Sequence, residues 1–174
     1  MTMGPIVLPA RGKRPLIPAS VYVAPGAAII GDVEIGEESS IWFGASVRGD
    51  CHFIRIGART SLQDNTVVHV THDTWPTLVG NDVTVGHACI LHGCRIADRV
   101  LVGMGSCVID DAEIASDVIL GAGSLVTMGA RIPSGVLALG RPAKPVRDLR
   151  PDELERIRES ARLYVGYRAE YLAG

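Results

Sequence analysis

Aliphatic residues recur at every sixth position along most of this chain, and few folds produce a period of six. Two runs carry the repeat: Ile17, Val23, Ile29, Ile35, Ile41 and Val47, then Ile96, Val102, Val108, Ile114, Leu120, Val126 and Ile132. Small residues such as Ala27, Ser106 and Ala112 stand four positions after the aliphatic ones, so we expect both sets to point inward. A hexapeptide repeat is typical of a parallel β-helix, and the sequence therefore predicts an all-β solenoid.

Three interruptions break the six-residue period in the middle of the chain. The steps are nine residues from Val47 to Ile56, eleven from Val68 to Val79, and five from Val85 to Ile90. Loops bulge from a solenoid where its repeat is interrupted, and binding sites tend to gather on such loops. The eleven-residue step contains Trp75 and Pro76 among polar residues, which predicts an exposed loop.

The repeat ends near Pro142 and Pro145, and a helical pattern follows. Pro151 suits the first turn of a helix, and the acidic residues behind it suit the positive end of the helix dipole. Apolar residues then recur at helical spacing: Leu154, Ile157, Ala161, Tyr164, Val165 and Tyr171. We expect a β-helix domain over residues 1–146 and a C-terminal α-helix within residues 147–174 that packs on the solenoid.

Composition narrows the function classes. A formal net charge of −2 provides no basic surface for nucleic acid. The sequence shows neither an apolar run long enough to cross a membrane nor an opening run of signal-peptide length, so we expect a cytoplasmic protein that binds neither membranes nor nucleic acids. Cys51, Cys89 and Cys94 fall at small inward positions of the repeat, which predicts buried thiols rather than disulfides.

Three histidines, His69, His87 and His92, lie beside the interrupted steps. If the eleven-residue step is one face plus a five-residue loop, His69 and His92 share a face on neighbouring rungs, about 4.8 Å apart, and His87 lies on the preceding face. If the step is two faces, one of them shortened, His87 stacks on His69 instead. Under either count three imidazoles gather at a corner, where one water would complete a tetrahedral zinc site with an open position. The alternative is that these histidines only line a trimer interface.

Five motifs in this region, taken in order, resemble the γ-class carbonic anhydrase family. They are Arg48-Gly49-Asp50, Gln63-Asp64, His69, Val85-Gly86-His87 and His92-Gly93-Cys94. The resemblance covers nearly the whole chain, and in particular the chain is similar to the short bacterial branch that includes ferripyochelin-binding-protein homologues and phenylacetate-degradation accessory proteins. It implies a left-handed parallel β-helix that forms a homotrimer, with three metal sites between subunits.

From this resemblance, His69 and His92 of one subunit and His87 of the next would bind the metal ion. The ion would be Zn²⁺ or, as in some members of the family, Fe²⁺ or Co²⁺. The implied enzyme is a carbonic anhydrase, a lyase in which metal-bound hydroxide attacks CO₂ and forms bicarbonate reversibly. The count that places His69 and His92 on one face agrees with this ligand set.

The resemblance also implies roles for residues around the metal. Arg48 and Asp50 would belong to an ion-pair network between subunits, joined by Asp64. Gln63 would hydrogen-bond near the metal-bound solvent. Tyr164 matches a helix tyrosine that approaches the site in short members of the family, and we take Gln63 and Tyr164 as candidate catalytic residues.

The sequence departs from the best-studied members of the family where protons leave the site. Those members carry an acidic loop with a glutamate proton shuttle, whereas this chain has the short segment from His72 to Leu78. Cys51 also follows Asp50 where a second glutamate would stand. We therefore expect weak activity, with His72 either a proton carrier, since an unperturbed imidazole titrates near pH ~6.5, or an ordinary loop residue.

Three other functions stay open. Hexapeptide acyltransferases use a single catalytic histidine, which would leave two of the three histidines unexplained. A metal-dependent acyl-CoA thioesterase would use the same activated water at a thioester carbonyl. A non-catalytic trimeric scaffold would keep the metal ligands for assembly, and the missing acidic shuttle favours it.

Overall fold

The computed structural model describes residues 4–174 and confirms the predicted parallel β-solenoid. The chain winds through about seven turns and ends in one helix. The strands are β1 (Ile6–Leu8), β2 (Tyr22–Val23), β3 (Ala28–Ile35), β4 (Ser40–Ile41), β5 (Ser46–Ile56), β6 (Ser61–Leu62), β7 (Val67–His69), β8 (Thr77–Val79), β9 (Thr84–Val85), β10 (Ile90–His92), β11 (Arg95–Ile96), β12 (Val100–Val102), β13 (Cys107–Val108), β14 (Glu113–Ile114), β15 (Val118–Leu120), β16 (Leu125–Val126), β17 (Arg131–Ile132), β18 (Val136–Gly140) and β19 (Ala143–Asp148), and the helix is α1 (Pro151–Ala173).

Hydrogen bonds between successive turns arrange the strands into three faces. β3 and β5 are long enough to turn a corner, so one 11-stranded sheet covers two of the faces. The face that carries His69 and His92, which we call the histidine face, has the order β16-β13-β10-β7-β5, and the next has the order β5-β8-β11-β14-β17. The third face is an eight-stranded sheet in the order β19-β18-β15-β12-β9-β6-β4-β2. β18 and β19 pair antiparallel, which ends the coil.

The interior is filled by the aliphatic residues of the hexapeptide repeat. Ile29, Val47 and Leu120 are fully buried, as the period predicts, and so are the small residues Ala27 and Ala112. Because these positions stack rung upon rung, they form one continuous apolar core along the solenoid. Burial of apolar area at roughly 25 cal/mol per Å² is the main force that holds such a stack together.

The register of β10 corrects one prediction. Ile90, expected to point inward, is 45% exposed, whereas Leu91 is fully buried. The cause is the pairing of β10 with β7, which places Leu91 beside the buried Val68 and Ile90 beside the exposed Val67. The step from Val85 to the next inward residue is therefore six, and the predicted five-residue interruption is wrong.

The nine-residue step is a bulge within β5. Residues 50–53 lie between Gly49, which pairs with Gly31 of β3, and Ile54, which pairs with Val33. Gly31 has a φ of +81°, and a Cβ on it would lie 2.3 Å from the carbonyl oxygen of Gly49. The two rungs approach this closely only because Gly31 has no side chain, and the bulge that follows places Asp50 at the edge of the histidine face.

The eleven-residue step is one face plus a loop, which decides between the two counts made from the sequence. β7 ends at His69 and β8 begins at Thr77, and an antiparallel bridge between Thr71 and Trp75 closes the loop between them. β9 then lies on the third face, and β10 returns to the histidine face directly beside β7. We call residues 71–76 the inserted loop.

Helix α1 lies along the eight-stranded sheet, where it contacts β2, β4, β9 and β12. Glu153 caps its first turn by accepting a hydrogen bond from the backbone amide of Arg150 at 3.0 Å, and Arg147 donates to the same carboxylate. Ile157 and Ala161 are buried. The cap and the buried residues together hold the helix against the solenoid. Across residues 4–174, no helix combines the length and the apolar character needed to cross a bilayer.

Candidate metal centre

His69 and His92 lie side by side at the ends of β7 and β10. The strands pair in parallel with His69 opposite His92, and Nδ1 of His69 is 3.2 Å from Nε2 of His92. Each histidine follows a buried aliphatic residue, Val68 or Leu91, so its side chain projects outward from the solenoid. The β-ladder by itself therefore brings two imidazoles together.

A carboxylate holds the outer nitrogen of each imidazole. Nε2 of His69 lies 3.1 Å from Oδ1 of Asp50, and Nδ1 of His92 lies 2.8 Å from Oδ1 of Asp110. Because a carboxylate only accepts hydrogen bonds, each outer nitrogen is the donor, and in a neutral ring the facing nitrogen then offers a lone pair. We call His69, His92, Asp50 and Asp110 the paired-histidine half-site.

The two lone pairs are arranged as ligands of one metal ion. At 3.2 Å two facing lone pairs are compatible only with a proton or a metal ion shared between the two nitrogens. Two nitrogens bound to one tetrahedral zinc, each at about 2.0 to 2.1 Å, would be roughly 3.3 Å apart. The chemistry of these donors and their spacing therefore fit a divalent transition metal.

Asp50 is held in its charged form. Burial favours the neutral carboxyl, but hydrogen bonds from His69 and Arg48 outweigh burial and lower the pKa of Asp50 to about 2. Arg48 forms an ion pair with Oδ2 of Asp50, while His69 contacts Oδ1. The structure thus brings Arg48, Asp50 and His69 together within one chain.

Cys51 lies next to this group but is poorly suited to bind metal. Ligand atoms of Asp50, Cys51 and His69 lie within 4.8 Å of one another. Burial raises the pKa of Cys51, and the charge of Asp50 raises it further, so the thiol stays protonated at neutral pH. Cys51 is also only half-buried, whereas Cys89 and Cys94 are buried as predicted.

His87 lies at the opposite edge of the histidine face. It occupies the turn between β9 and β10, where its side chain is 49% exposed and its Nδ1 lies 3.0 Å from Oδ2 of Asp64. Asp64 occupies the same turn one rung earlier, since its carbonyl accepts a hydrogen bond from the amide of Ala88. The length of β10 separates His87 from His92, so one chain does not bring the three imidazoles together.

Gln63 and Tyr164 lie on the side of His87. Gln63 directly precedes Asp64 and is buried. Tyr164, on α1, packs edge-on against Trp42 with ring centroids 5.8 Å apart. Burial and the nearby charge of Asp64 raise the pKa of Tyr164, which keeps its hydroxyl protonated at neutral pH. We call His87, Asp64, Gln63 and Tyr164 the single-histidine half-site.

Sequence reasoning missed Asp110 and Thr71. Asp110 is the partner of His92, and Thr71 donates a hydrogen bond to the same carboxylate oxygen at 2.6 Å. The repeat contained a signal for Asp110, because three six-residue faces make one turn and Asp110 follows His92 by 18 residues. It contained none for Thr71, because the inserted loop stands outside the period.

A cleft of about 260 Å³ opens beside the paired-histidine half-site. The N-terminal turn, the bulge of β5 and the inserted loop form its walls, and Arg11, Asp50, Cys51 and His52 are among the residues that line it. His72, on the inserted loop, is 62% exposed and its Nε2 lies 3.3 Å from the guanidinium of Arg11. The cleft therefore connects Asp50 with solvent near an exposed imidazole.

No family model matches the sequence. The carbonic anhydrase of Geobacillus kaustophilus is 47% identical over 160 residues, which span 92% of this chain and 87% of that protein. The mitochondrial gamma carbonic anhydrase 2 of Arabidopsis thaliana is 45% identical over 158 residues, which span 88% of this chain and 57% of that protein. The crystal structure of a hexapeptide transferase family protein from Anaplasma phagocytophilum matches with a TM-score of 0.92 and 42% identity, over 95% of this chain and 98% of that one. The fold, the order of the motifs and these relatives together place the chain in the γ-class carbonic anhydrase family.

Proposed function

We propose that this protein is a carbonic anhydrase that hydrates CO₂ reversibly to bicarbonate at a divalent metal ion. The observation that carries the proposal is the pair of facing nitrogens of His69 and His92, 3.2 Å apart, with each ring backed by a carboxylate. Imidazole ligands favour Zn²⁺, Fe²⁺ or Co²⁺ over Mg²⁺ or Ca²⁺, and we propose Zn²⁺. When bound, such an ion acts as a Lewis acid that makes water nucleophilic at neutral pH.

His87 of a second subunit would supply the third imidazole. The two half-sites lie at opposite edges of the histidine face, so a contact that joins them uses different surfaces on the two copies. Contacts of this head-to-tail kind close into rings when the rotation between copies permits it. We propose a homotrimer with three metal sites, the assembly that the family resemblance implies.

An apolar ladder on the histidine face supports this assembly. Val67, Ile90, Cys107 and Leu125 follow one another across β7, β10, β13 and β16. Val67 is 42% exposed and Ile90 is 45% exposed. Cys107 and Leu125 are half-buried. A contiguous, partly exposed apolar surface is typical of an interface, and this one lies between the two half-sites that the assembly would join.

Each remaining residue would have a defined task in the assembled site. Arg48 would keep Asp50 charged so that it orients His69. Asp64 would orient His87 through their 3.0 Å contact. Gln63 and Tyr164 would reach the site with His87, and their amide and hydroxyl groups would hydrogen-bond to the reacting water and to bicarbonate.

Proton release would use the cleft beside Asp50. His72 is exposed to solvent near this cleft and would exchange protons with buffer. His72 has one acidic neighbour in the loop, Asp73, 3.2 Å from its Nε2, and both side chains are largely exposed. Because this pair is held loosely in solvent, we expect proton release to limit turnover. Hydration should therefore accelerate as the concentration of an imidazole buffer is raised.

The free cysteines bear on where the protein works. Cys51, Cys89, Cys94 and Cys107 all carry free thiols. Thiols persist in reducing compartments, and disulfides form in oxidising ones. We propose a cytoplasmic location on this ground.

Acyl transfer is the alternative that the likeness to the Anaplasma hexapeptide transferase family protein supports. Such a reaction needs one histidine as a base, whereas His69 and His92 face each other with their outer nitrogens engaged by carboxylates. A carboxylate behind the ring suits a general base as well as a metal ligand. The facing nitrogens of His69 and His92, however, point at each other 3.2 Å apart and not toward a substrate, which favours a metal ion shared by both rings. Thioester hydrolysis at the same metal would share the ligand set and is separated by assay.

The proposal is tested by stopped-flow CO₂ hydration with protein purified without oxygen and reconstituted with Zn²⁺, Co²⁺ or Fe²⁺. Metal-dependent hydration that is lost in His69→Ala and kept in Arg95→Ala, on another face, is the expected result. Bound metal without hydration at any pH would contradict the proposal. Acyl-CoA hydrolysis under the same conditions would then identify a thioesterase, and an intact trimer after metal removal would identify a scaffold.

A further inference from the structure

Asp110 lies one full turn of the solenoid below His92 and contacts it directly. Oδ1 of Asp110 is 2.8 Å from Nδ1 of His92 and 2.6 Å from the hydroxyl oxygen of Thr71. The side chain of Asp110 is 21% exposed, so water competes little for this oxygen. One carboxylate oxygen thus accepts from a ring nitrogen and from a hydroxyl on a different segment of the chain.

The backbone at Gly93 leaves room for this contact. Gly93 directly follows His92 and has a φ of +56°, a conformation that residues with a side chain rarely adopt. A Cβ at this position would lie 2.3 Å from Oδ1 of Asp110 and 3.1 Å from Cβ of Trp75. Any side chain here would therefore push Asp110 away from His92.

The inserted loop is tied to both paired histidines. The amide of Thr71 donates to the carbonyl of Trp75 at 3.0 Å, which fixes the start of the loop where its hydroxyl meets Asp110. At the end of the loop, the hydroxyl of Thr77 donates to the carbonyl of His69. Thr71 of the loop therefore supports the imidazole of His92 through Asp110, and Thr77, directly after the loop, fixes the backbone at His69.

Asp110 and Asp50 differ in what else they bind. Asp50 forms an ion pair with Arg48, which partly neutralises the negative charge of Asp50. The contacts of Asp110 with Thr71 and His92 involve a neutral hydroxyl and an imidazole. The full negative charge of Asp110 therefore acts on the ring of His92, where it favours a proton on Nδ1 and a lone pair on Nε2.

We propose that Asp110, held in place by Thr71, is a positioning residue that fixes the tautomer and ring orientation of His92 as a metal ligand. This inference rests on the proposed function only in taking His92 as a ligand. Removal of a group that orients a ligand commonly weakens metal binding about 10- to 100-fold. Loss of the Thr71 hydroxyl removes one hydrogen bond to the carboxylate of Asp110 but leaves that carboxylate beside His92, so we expect a smaller loss of affinity, on the order of severalfold.

Asp110→Asn is the sharpest variant, because it keeps the shape of the side chain. An amide can donate to Nδ1 of His92 where a carboxylate can only accept, and its oxygen lacks the carboxylate's charge, so we expect this exchange to favour the opposite tautomer. Asp111→Asn is the matched control, since it makes the same change at the next residue, whose carboxylate pairs with Arg131. Thr71→Val removes the hydroxyl at constant shape, and Thr71→Ser restores it.

Two measurements on the 174-residue chain test the inference. Nitrogen-detected NMR of metal-free protein reports the tautomer of His92, and chelator competition reports the affinity for Zn²⁺. We expect the Nδ1–H tautomer in the wild type and in Asp111→Asn, and the Nε2–H tautomer with at least tenfold weaker binding in Asp110→Asn. Thr71→Val should weaken binding severalfold, and Thr71→Ser should recover it. Wild-type tautomer and affinity in Asp110→Asn would overturn the inference.

These readouts separate the inference from the proposed function, because neither needs CO₂. If Asp110→Asn loosens Zn²⁺ in a protein that does not hydrate CO₂, Asp110 is a positioning residue and the proposed reaction is wrong. If the wild type hydrates CO₂ and Asp110→Asn binds Zn²⁺ as tightly as the wild type, the reaction stands and the role of Asp110 falls. Should Asp110→Asn fail to fold, the Thr71→Val and Thr71→Ser pair decides, since Thr71 is only half-buried and neither substitution removes the backbone amide that donates to Trp75.

Discussion

The two half-sites lie at opposite edges of one face, yet they are built by different means. The paired-histidine half-site is made by the β-ladder, which sets His69 beside His92 on neighbouring rungs. The single-histidine half-site depends on a turn and on the helix, since His87 lies in a corner and Tyr164 is carried by α1. In the assembly that we propose, the repeat builds half of a metal centre within one chain, and the other half would work only against a second copy.

The strongest test of this division mixes two inactive variants. His69→Ala destroys the paired-histidine half-site, and His87→Ala destroys the single-histidine half-site. Each variant alone should lose metal-dependent hydration. In trimers refolded from an equal mixture, a site works only where the paired half of a His87→Ala chain meets the single half of a His69→Ala chain. Random assembly gives this combination at about one site in four, so about one quarter of wild-type hydration should return.

Mixing His69→Ala with His92→Ala provides the matched control. Both substitutions damage the same half-site, so each intermolecular site lacks a ligand and hydration should not return. Recovery in this control, or its absence in the first mixture, would show that the halves do not meet across subunits. Stopped-flow hydration and metal content measured on the same trimers give the two readouts.

Substitution of the apolar ladder should separate the halves without damaging either. Ile90→Glu places a carboxylate at the centre of the proposed interface, where an unpaired buried charge costs several kcal/mol. Because Ile90 points outward, the solenoid should keep its fold while the trimer dissociates. Light scattering after size-exclusion chromatography and circular dichroism test this expectation.

Leu16→Glu is the control for the ladder, since Leu16 is 63% exposed and pairs with Glu34 away from the histidine face. It should leave the trimer intact. A trimer that survives Ile90→Glu would place the interface elsewhere. Metal content should follow the oligomeric state, because the dissociated chain presents two imidazoles instead of three.

A smaller effect is expected from the carboxylate behind His87. Asp64→Asn weakens the group that orients His87 but keeps the ligand, so affinity for Zn²⁺ in the trimer should fall about 10-fold. Asp82→Asn, which alters a turn residue paired with Arg59, should not change the affinity. Equal affinities of Asp64→Asn and the wild type would mean that His87 is oriented by the partner subunit instead. Competition with a chelator measures all three proteins.

More of the paired-histidine half-site than of the single-histidine half-site could be predicted from the sequence. Once the eleven-residue step is counted as one face plus a loop, periodicity alone puts His69 and His92 on one face, and the 18-residue spacing to Asp110 follows from the same repeat. The contact of His87 with Asp64 involves a turn, whose geometry the six-residue period does not describe.

Where two aliphatic residues are adjacent, the period is also ambiguous. Ile90 and Leu91 both suit an inward position, and only the pairing with Val67 and Val68 decides that Leu91 is the buried one. Thr71 shows a different limit, because its hydrogen bond to Asp110 depends on a loop fold closed by tertiary contacts. The six-residue period thus determines the ladder and the spacing of Asp110 from His92, whereas Thr71, which holds Asp110, lies outside the repeat.

The smallest effect concerns the helix, which reaches only the single-histidine half-site. Hydrogen bonds from Arg147 and from the amide of Arg150 lower the pKa of Glu153 to about 2, from an ordinary value of 4.5. A lowered pKa means that this carboxylate stabilises the docked helix above pH 4.5 and that its contribution is lost as the pH falls toward 2. Glu153→Gln should therefore lower the temperature at which helix α1 detaches from the solenoid at pH 6, and it should not change that temperature near pH 2.

Tryptophan fluorescence can follow the melting of the helix contact separately from the inserted loop. Trp42 packs against Tyr164 of the helix, whereas Trp75 lies in the inserted loop. In a Trp75→Phe background, emission from Trp42 reports the helix contact, and Glu159→Gln on an exposed position of the same helix is the control. A difference between Glu153→Gln and the parent that stays constant from pH 6 to pH 2 would contradict the expectation. Ile90→Glu added to Glu153→Gln and to its parent should give separate chains, in which only the paired-histidine half-site can bind Zn²⁺. The two proteins should then bind Zn²⁺ equally well at neutral pH, because the helix does not reach the paired-histidine edge of the face within one chain.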